Sequence, residues 1–209
     1  MKTLFYDWGG ANTWLFYTLN GWHNDVSDAV MQLGSLLGDH ERFAVYLLAL
    51  VLVAWWRVGR GDNAQRWFNV VVVFSAAYVL DGIIVGWLKH ALDFPRPPAA
   101  LPLESIHLGT PPEYRHSFPS GHAVFAMTCV ASLWPLLPRA GHIAAVLFVF
   151  WVALSRVNLG VHFPADVVAG ALLALAIVLG IRLTLDRVMR LTATKPLARA
   201  RSARKSKRQ

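Results

Sequence analysis

The chain has 209 residues, 56% hydrophobic and only 15% charged, with a formal net charge of +8. Soluble domains carry roughly a quarter of their residues as charges, so a large water-exposed core fits poorly and a polytopic membrane protein is expected. One cysteine, Cys129, excludes an intrachain disulfide.

The N-terminal "MKTLFYDWGG" is interrupted by Asp7 and a glycine pair, so it has no continuous apolar stretch of the secretory-signal kind. In residues 11–38, Leu15, Phe16, Leu19 and Trp22 fall at helical spacing. This predicts an interfacial helix within residues 1–40, with a sixth span as the alternative. Apolar runs follow at Phe43–Val58, Trp67–Leu88, Ala123–Leu137, Ile143–Leu154 and Val167–Leu185. Most approach the ~20 residues a helix needs to cross a bilayer. The expected fold is therefore an all-α membrane bundle of five clear transmembrane helices plus the N-terminal helix. The third and fourth runs are short unless Pro119–Gly121 and Leu137–His142 are added, which would set their polar ends slightly inside the membrane surface.

From Arg182 onward the chain carries a net +9, leaving −1 for everything before it. Because this basic stretch follows an apolar span directly, positive-inside retention explains it better than nucleic acid. Residues 1–190 are read as one membrane-embedded domain and 191–209 as a basic, disordered cytoplasmic tail. Loop 57–66 and the Arg139 turn then also lie inside. The loop 90–118 and residues 155–166 lie outside.

Three polar clusters meet on that outer side. "KHALDFPRP" supplies Lys89 and Arg96–Pro97, "FPSGH" supplies Ser120, Gly121 and His122, and "SRVNLGVHFPAD" supplies Arg156, His162 and Asp166. Ionisable groups at the edge of hydrocarbon are costly and mark function. Pro119–His122 before an apolar run reads as a helix start, where unpaired N–H groups attract an anion. Ser120 could simply cap that helix. Lys89, Arg96 and Arg156 add three positive charges, and guanidinium forks suit phosphate oxygens. Asp166, four residues after His162, can hold one ring nitrogen and leave the other as nucleophile or base. The plainer reading has Asp166 complementing a helix dipole. No Cys-rich or HExxH pattern accompanies these groups, and three cations repel a divalent ion, so no metal and no cofactor are expected. Asp81, mid-span and eight residues before Lys89, stands outside the clusters. Loop 98–117 offers His107, Glu113, Arg115 and His116 without a motif.

Together the clusters resemble the signature of the type 2 phosphatidic acid phosphatase superfamily: Lys-x6-Arg-Pro, Pro-Ser-Gly-His and Ser-Arg-x5-His-x3-Asp. Every spacing matches, in order, from Lys89 to Asp166. The resemblance implies metal-independent hydrolysis through a phosphohistidine. In it His162 is the nucleophile, Asp166 orients it, and His122 protonates the leaving group and then activates water. Lys89, Arg96, Ser120, Gly121 and Arg156 hold the phosphoryl oxygens. It further implies a lipid phosphate or diphosphate substrate, undecaprenyl diphosphate foremost, at the outer face of a bacterial cytoplasmic membrane. Membrane lipids are the expected partners and nucleic acid is not. Alternative functions are a phosphatidylglycerophosphate or phosphatidate phosphatase, a lipid phosphotransferase, and, more remotely, a non-catalytic anionic-lipid binder or transporter.

Overall fold

A computed structural model describes the backbone of residues 6–206 and the side chains of residues 6–191. The described residues are helical with no strand: α1 (Ala11–Asn20), α2 (Asp25–Leu37), α3 (Phe43–Val58), α4 (Ala64–Leu92), α5 (Gly121–Leu133), α6 (Arg139–Asn158) and α7 (Pro164–Ser206). Several starts are dictated locally. The Asn24 side chain accepts from the Val26 and Ser27 amides while Ser27 Oγ accepts from the Asn24 amide, a reciprocal cap for α2. Asn63 accepts from the Arg66 amide at the start of α4. Proline opens α7, where its missing N–H costs nothing. Of the tail expected over 191–209, the backbone continues α7 to Ser206, while the side chains of 192–209 and the backbone of 207–209 lie outside the described residues.

α5 is the axis of the bundle. Nine of its thirteen residues are buried, and it packs against α4, α6 and α7. α7 comes close at Gly170, where an added Cβ would lie 2.7 Å from the Ser120 carbonyl oxygen. α3 covers α4 through the Phe43–Tyr78 stack, 3.7 Å between ring centroids, and through Leu50, Ala54 and Trp67.

The bundle has two chemically distinct ends. At one, Arg57 pairs with Asp62, and Arg182 donates to the Ala131 and Ser132 carbonyls at the end of α5. The other carries all three motifs. Among the described residues three helical stretches are long and apolar enough to cross a membrane: Ala64–Ala100, Arg139–Asn158 and Pro164–Leu191. The remaining two of the five expected spans are shorter. α3 has 16 residues, and Gly121–Leu136 is a short apolar helix. At 1.5 Å per residue they extend about 24 Å, less than the ~30 Å hydrocarbon thickness.

α1 and α2, with 10 and 13 residues, lie across the motif end. Buried asparagines fasten them there. Asn12 accepts from the Ala165 amide at 2.9 Å, Asn20 donates to the His107 and Asn158 carbonyls, and Asn158 donates to the Leu19 and Trp22 carbonyls. α2 rests on α6, with Gly34 against Trp151 and Gly38 against Val152.

Candidate active site

The link between α6 and α7 folds His162 inward. Gly160 makes the turn with φ of 76°, and a Cβ there would meet the His107 carbonyl oxygen at 2.4 Å, so only glycine fits. His162 is 2% exposed and Asp166 is fully buried. Their contact, Nδ1 to Oδ2, is 3.2 Å. Asp166 is also gripped from three other directions: Ser117 Oγ donates to Oδ2 at 2.5 Å, the Phe163 amide donates to Oδ2 at 2.9 Å, and Tyr6 Oη donates to Oδ1 at 2.8 Å. A carboxylate with this many donors is rigidly oriented, and it fixes the proton of His162 on Nδ1. Nε2 is then the nitrogen with a free lone pair.

Arg96 lies against that nitrogen, Nη1 to Nε2 being 3.5 Å. Its remaining groups are anchored: Nε donates to the Arg115 carbonyl at 2.9 Å and Nη2 pairs with Glu113 at 2.8 Å. Arg156, 6% exposed, reaches Ser35 on α2 through Nη1, while its buried Nε has no partner among the described residues. Ser120 occupies the N-cap position of α5 but makes no side-chain cap, and its buried Oγ has no partner among the described residues. The capping role that the sequence allowed for Ser120 is therefore absent. Its amide donates to the Asp166 carbonyl at 3.1 Å, tying the start of α5 to α7. Gly121 faces open space and, with Gly82, Gly86, His40 and Lys89, borders a cavity of about 420 Å³ between α4 and α5. His122 sits in the first turn of α5, its ring 6.2 Å from that of His40.

Burial pushes the His162 imidazole below its ordinary range, and Asp166 opposes the shift. The Tyr6 phenol is driven up by burial and by the Asp166 charge, so it stays protonated and remains a donor. Among the described residues no three His, Cys, Asp or Glu side chains gather as a metal site.

Tyr6, Ser117 and Ser35 are contacts that motif reading missed. Ser117 precedes "FPSGH" by one residue, a signal that could have been used, whereas nothing marks Tyr6. In loop 98–117, Glu113 reaches the cluster through Arg96. Arg115 and His116 bind Asp93, at 3.0 and 3.2 Å, and His107 binds Asp28 at 3.0 Å, so these three anchor the loop. Asp81 meets the Thr128 hydroxyl through Oδ2 on the deep wall of the 420 Å³ cavity.

Residues 70–190 match the model of the PAP2 superfamily. The chain is 31% identical over 150 residues to the bacitracin transport permease protein BcrC of Bacillus licheniformis, covering 72% of this chain and 70% of that one. It is 26% identical over 164 residues to the undecaprenyl-diphosphatase BcrC of Bacillus subtilis, covering 74% and 73%. The crystal structure of Aquifex aeolicus LpxE superposes with a TM-score of 0.69 at 26% identity, over 82% of this chain and 94% of that one. An all-helical bundle with membrane-crossing stretches, the three motifs at one end, and these matches together mean that the chain belongs to the PAP2 superfamily and is a membrane lipid phosphatase.

Proposed function

We propose that the protein hydrolyses undecaprenyl diphosphate through a phosphohistidine on His162, without a metal ion. The observation that carries this reading is the position of His162 between Asp166 on Nδ1 and Arg96 beside Nε2, together with Ser120 Oγ and Arg156 Nε, two buried polar atoms without a hydrogen-bond partner among the described residues. In the first step His162 Nε2 bonds to the terminal phosphorus while the bridging oxygen leaves with a proton from His122. Asp166 stabilises the imidazolium. Lys89, Arg96, Arg156, Ser120 and the Gly121 amide hold the phosphoryl oxygens, whose charge grows in the transition state. In the second step His122 takes a proton from water, which attacks phosphorus and releases inorganic phosphate and His162. Three cations supply the charge stabilisation that a metal supplies elsewhere. The choice of substrate rests on the printed activity of the Bacillus subtilis relative.

The site faces the non-cytoplasmic side of a bacterial inner membrane in this reading, because the basic loops and Arg182, Arg187 and Arg190 gather at the opposite end. The test is phosphate release in detergent with EDTA present. Undecaprenyl diphosphate, phosphatidylglycerophosphate and phosphatidate are compared, each with His162→Ala as control. Release from undecaprenyl diphosphate that persists in EDTA and vanishes in the variant is expected. Faster release from a glycerophospholipid overturns the substrate, and loss in EDTA overturns the mechanism.

A further inference from the structure

α5, α6 and α7 line an open apolar groove of about 610 Å³ to which none of the candidate site residues contributes. One stripe of α7 forms its floor, from Pro164 through Val168, Ala171, Leu175 and Leu179 to Arg182. Eighteen residues of helix rise about 27 Å, so the groove runs almost the depth of the ~30 Å hydrocarbon core. Leu15 and Leu19 of α1 border it at the motif end, and Trp134 and Arg182 border it at the opposite end.

The groove is long, apolar and open to the surrounding hydrocarbon, the shape and polarity that one acyl chain takes up. Arg182 also borders a smaller cavity of about 260 Å³ with Arg66, Asn69 and Asp186. Its Nη2 is committed to the Ala131 and Ser132 carbonyls, at 2.6 and 2.8 Å, while Nε and Nη1 have no hydrogen-bond partner among the described residues. One arginine thus joins a chain-sized apolar groove to a cavity with a second guanidinium, at the basic end of the bundle. Basic pockets between membrane helices suit anionic headgroups, and Trp134 lies where an interfacial aromatic belongs.

We propose that this is a binding site for an anionic phospholipid of the leaflet opposite the catalytic cluster. One acyl chain fills the groove and the phosphate lies between Arg182 and Arg66. The bound lipid is not a substrate, since its phosphate is at the wrong end of the bundle.

The test is native mass spectrometry of the full-length, delipidated protein titrated with phosphatidylglycerol or phosphatidylcholine in neutral detergent. One phosphatidylglycerol held about tenfold more tightly than phosphatidylcholine is expected, the scale of a charged hydrogen bond. Arg182→Gln should remove that preference. Ala171→Trp should fill the groove and weaken binding of phosphatidylglycerol by at least about tenfold with both arginines in place. Because Arg182 also holds the end of α5, Arg66→Gln serves as the charge variant if Arg182→Gln does not fold. Equal retention of the two lipids overturns the proposal, as does unchanged retention by Ala171→Trp. A dimer that Ala171→Trp dissociates, without any effect on lipid, overturns it in favour of an interface between copies.

Discussion

Asp166 and His162 form a pair whose geometry is set by four donors converging on one carboxylate. A hydrogen bond to a charged group contributes about 1.5–3 kcal/mol. Ser117→Ala is accordingly expected to lower kcat by about 10-fold to 100-fold with KM little changed, and Tyr6→Phe to do the same more weakly. Steady-state kinetics on one lipid check both; a rise in KM alone would show that Ser117 serves substrate binding and not the orientation of His162. The pH dependence follows from burial. With its folded pKa below the usual ~6.5, His162 stays neutral through neutral pH and gains a proton only in more acid solution. The acid limb of kcat/KM, which reports the free enzyme, should therefore lie below pH 6.5. Conformational stability should fall in the same direction, because below ~6.5 the unfolded chain takes up a proton that the folded chain resists. A limb at or above 6.5 would contradict a buried, neutral nucleophile.

At the scale of elements, the proposed catalytic cluster depends on how closely α5 approaches α7. Gly170 permits that approach, and the Ser120 amide bond to the Asp166 carbonyl uses it. Gly170→Ala would place a methyl 2.7 Å from a backbone oxygen that cannot move aside. A loss of about 1–3 kcal/mol is expected, the usual cost of overpacking, together with lower activity as Ser120 shifts. Ten residues along the same helix, Gly180 has nothing within 4 Å of its would-be Cβ. Gly180→Ala should be neutral or stabilise by about 0.5–1 kcal/mol, as a helical alanine does. Melting in detergent distinguishes the two, and equal effects would show that α5–α7 contact is not the constraint.

For the whole molecule, the disposition of charge sets the proposed orientation. Arg57, Arg60, Arg66, Arg139 and Arg182 belong to the end opposite the motifs, and most of the acidic residues belong to the motif end. The native chain offers no reactive thiol at its surface, because Cys129 is buried. Single cysteines can then report sidedness. Glu104→Cys should react with a membrane-impermeant maleimide in intact cells, and Arg60→Cys only after lysis. The opposite pattern would place catalysis on the cytoplasmic face.

What the sequence by itself determined is the set of motif residues and the family they point to. Motif residues sit at helix ends within a few positions of one another, so their spacing encodes the His162–Asp166 pair, the α5 start at Ser120–His122 and the family resemblance. The apolar runs likewise announced a helical membrane bundle, since the bilayer imposes length and polarity on each run separately. Only the tertiary structure decided the rest. Tyr6 reaches Asp166 across 160 positions of chain, and Asn12 reaches Ala165 across 153, distances over which no local pattern carries information. Ser120 precedes the helix as a cap residue would, yet its hydroxyl is buried without a hydrogen-bond partner among the described residues. For residues 11–38 periodicity favoured an interfacial helix but left a sixth span open. Short amphipathic helices suit either place, and the choice rests on three buried asparagines whose partners lie far away in sequence.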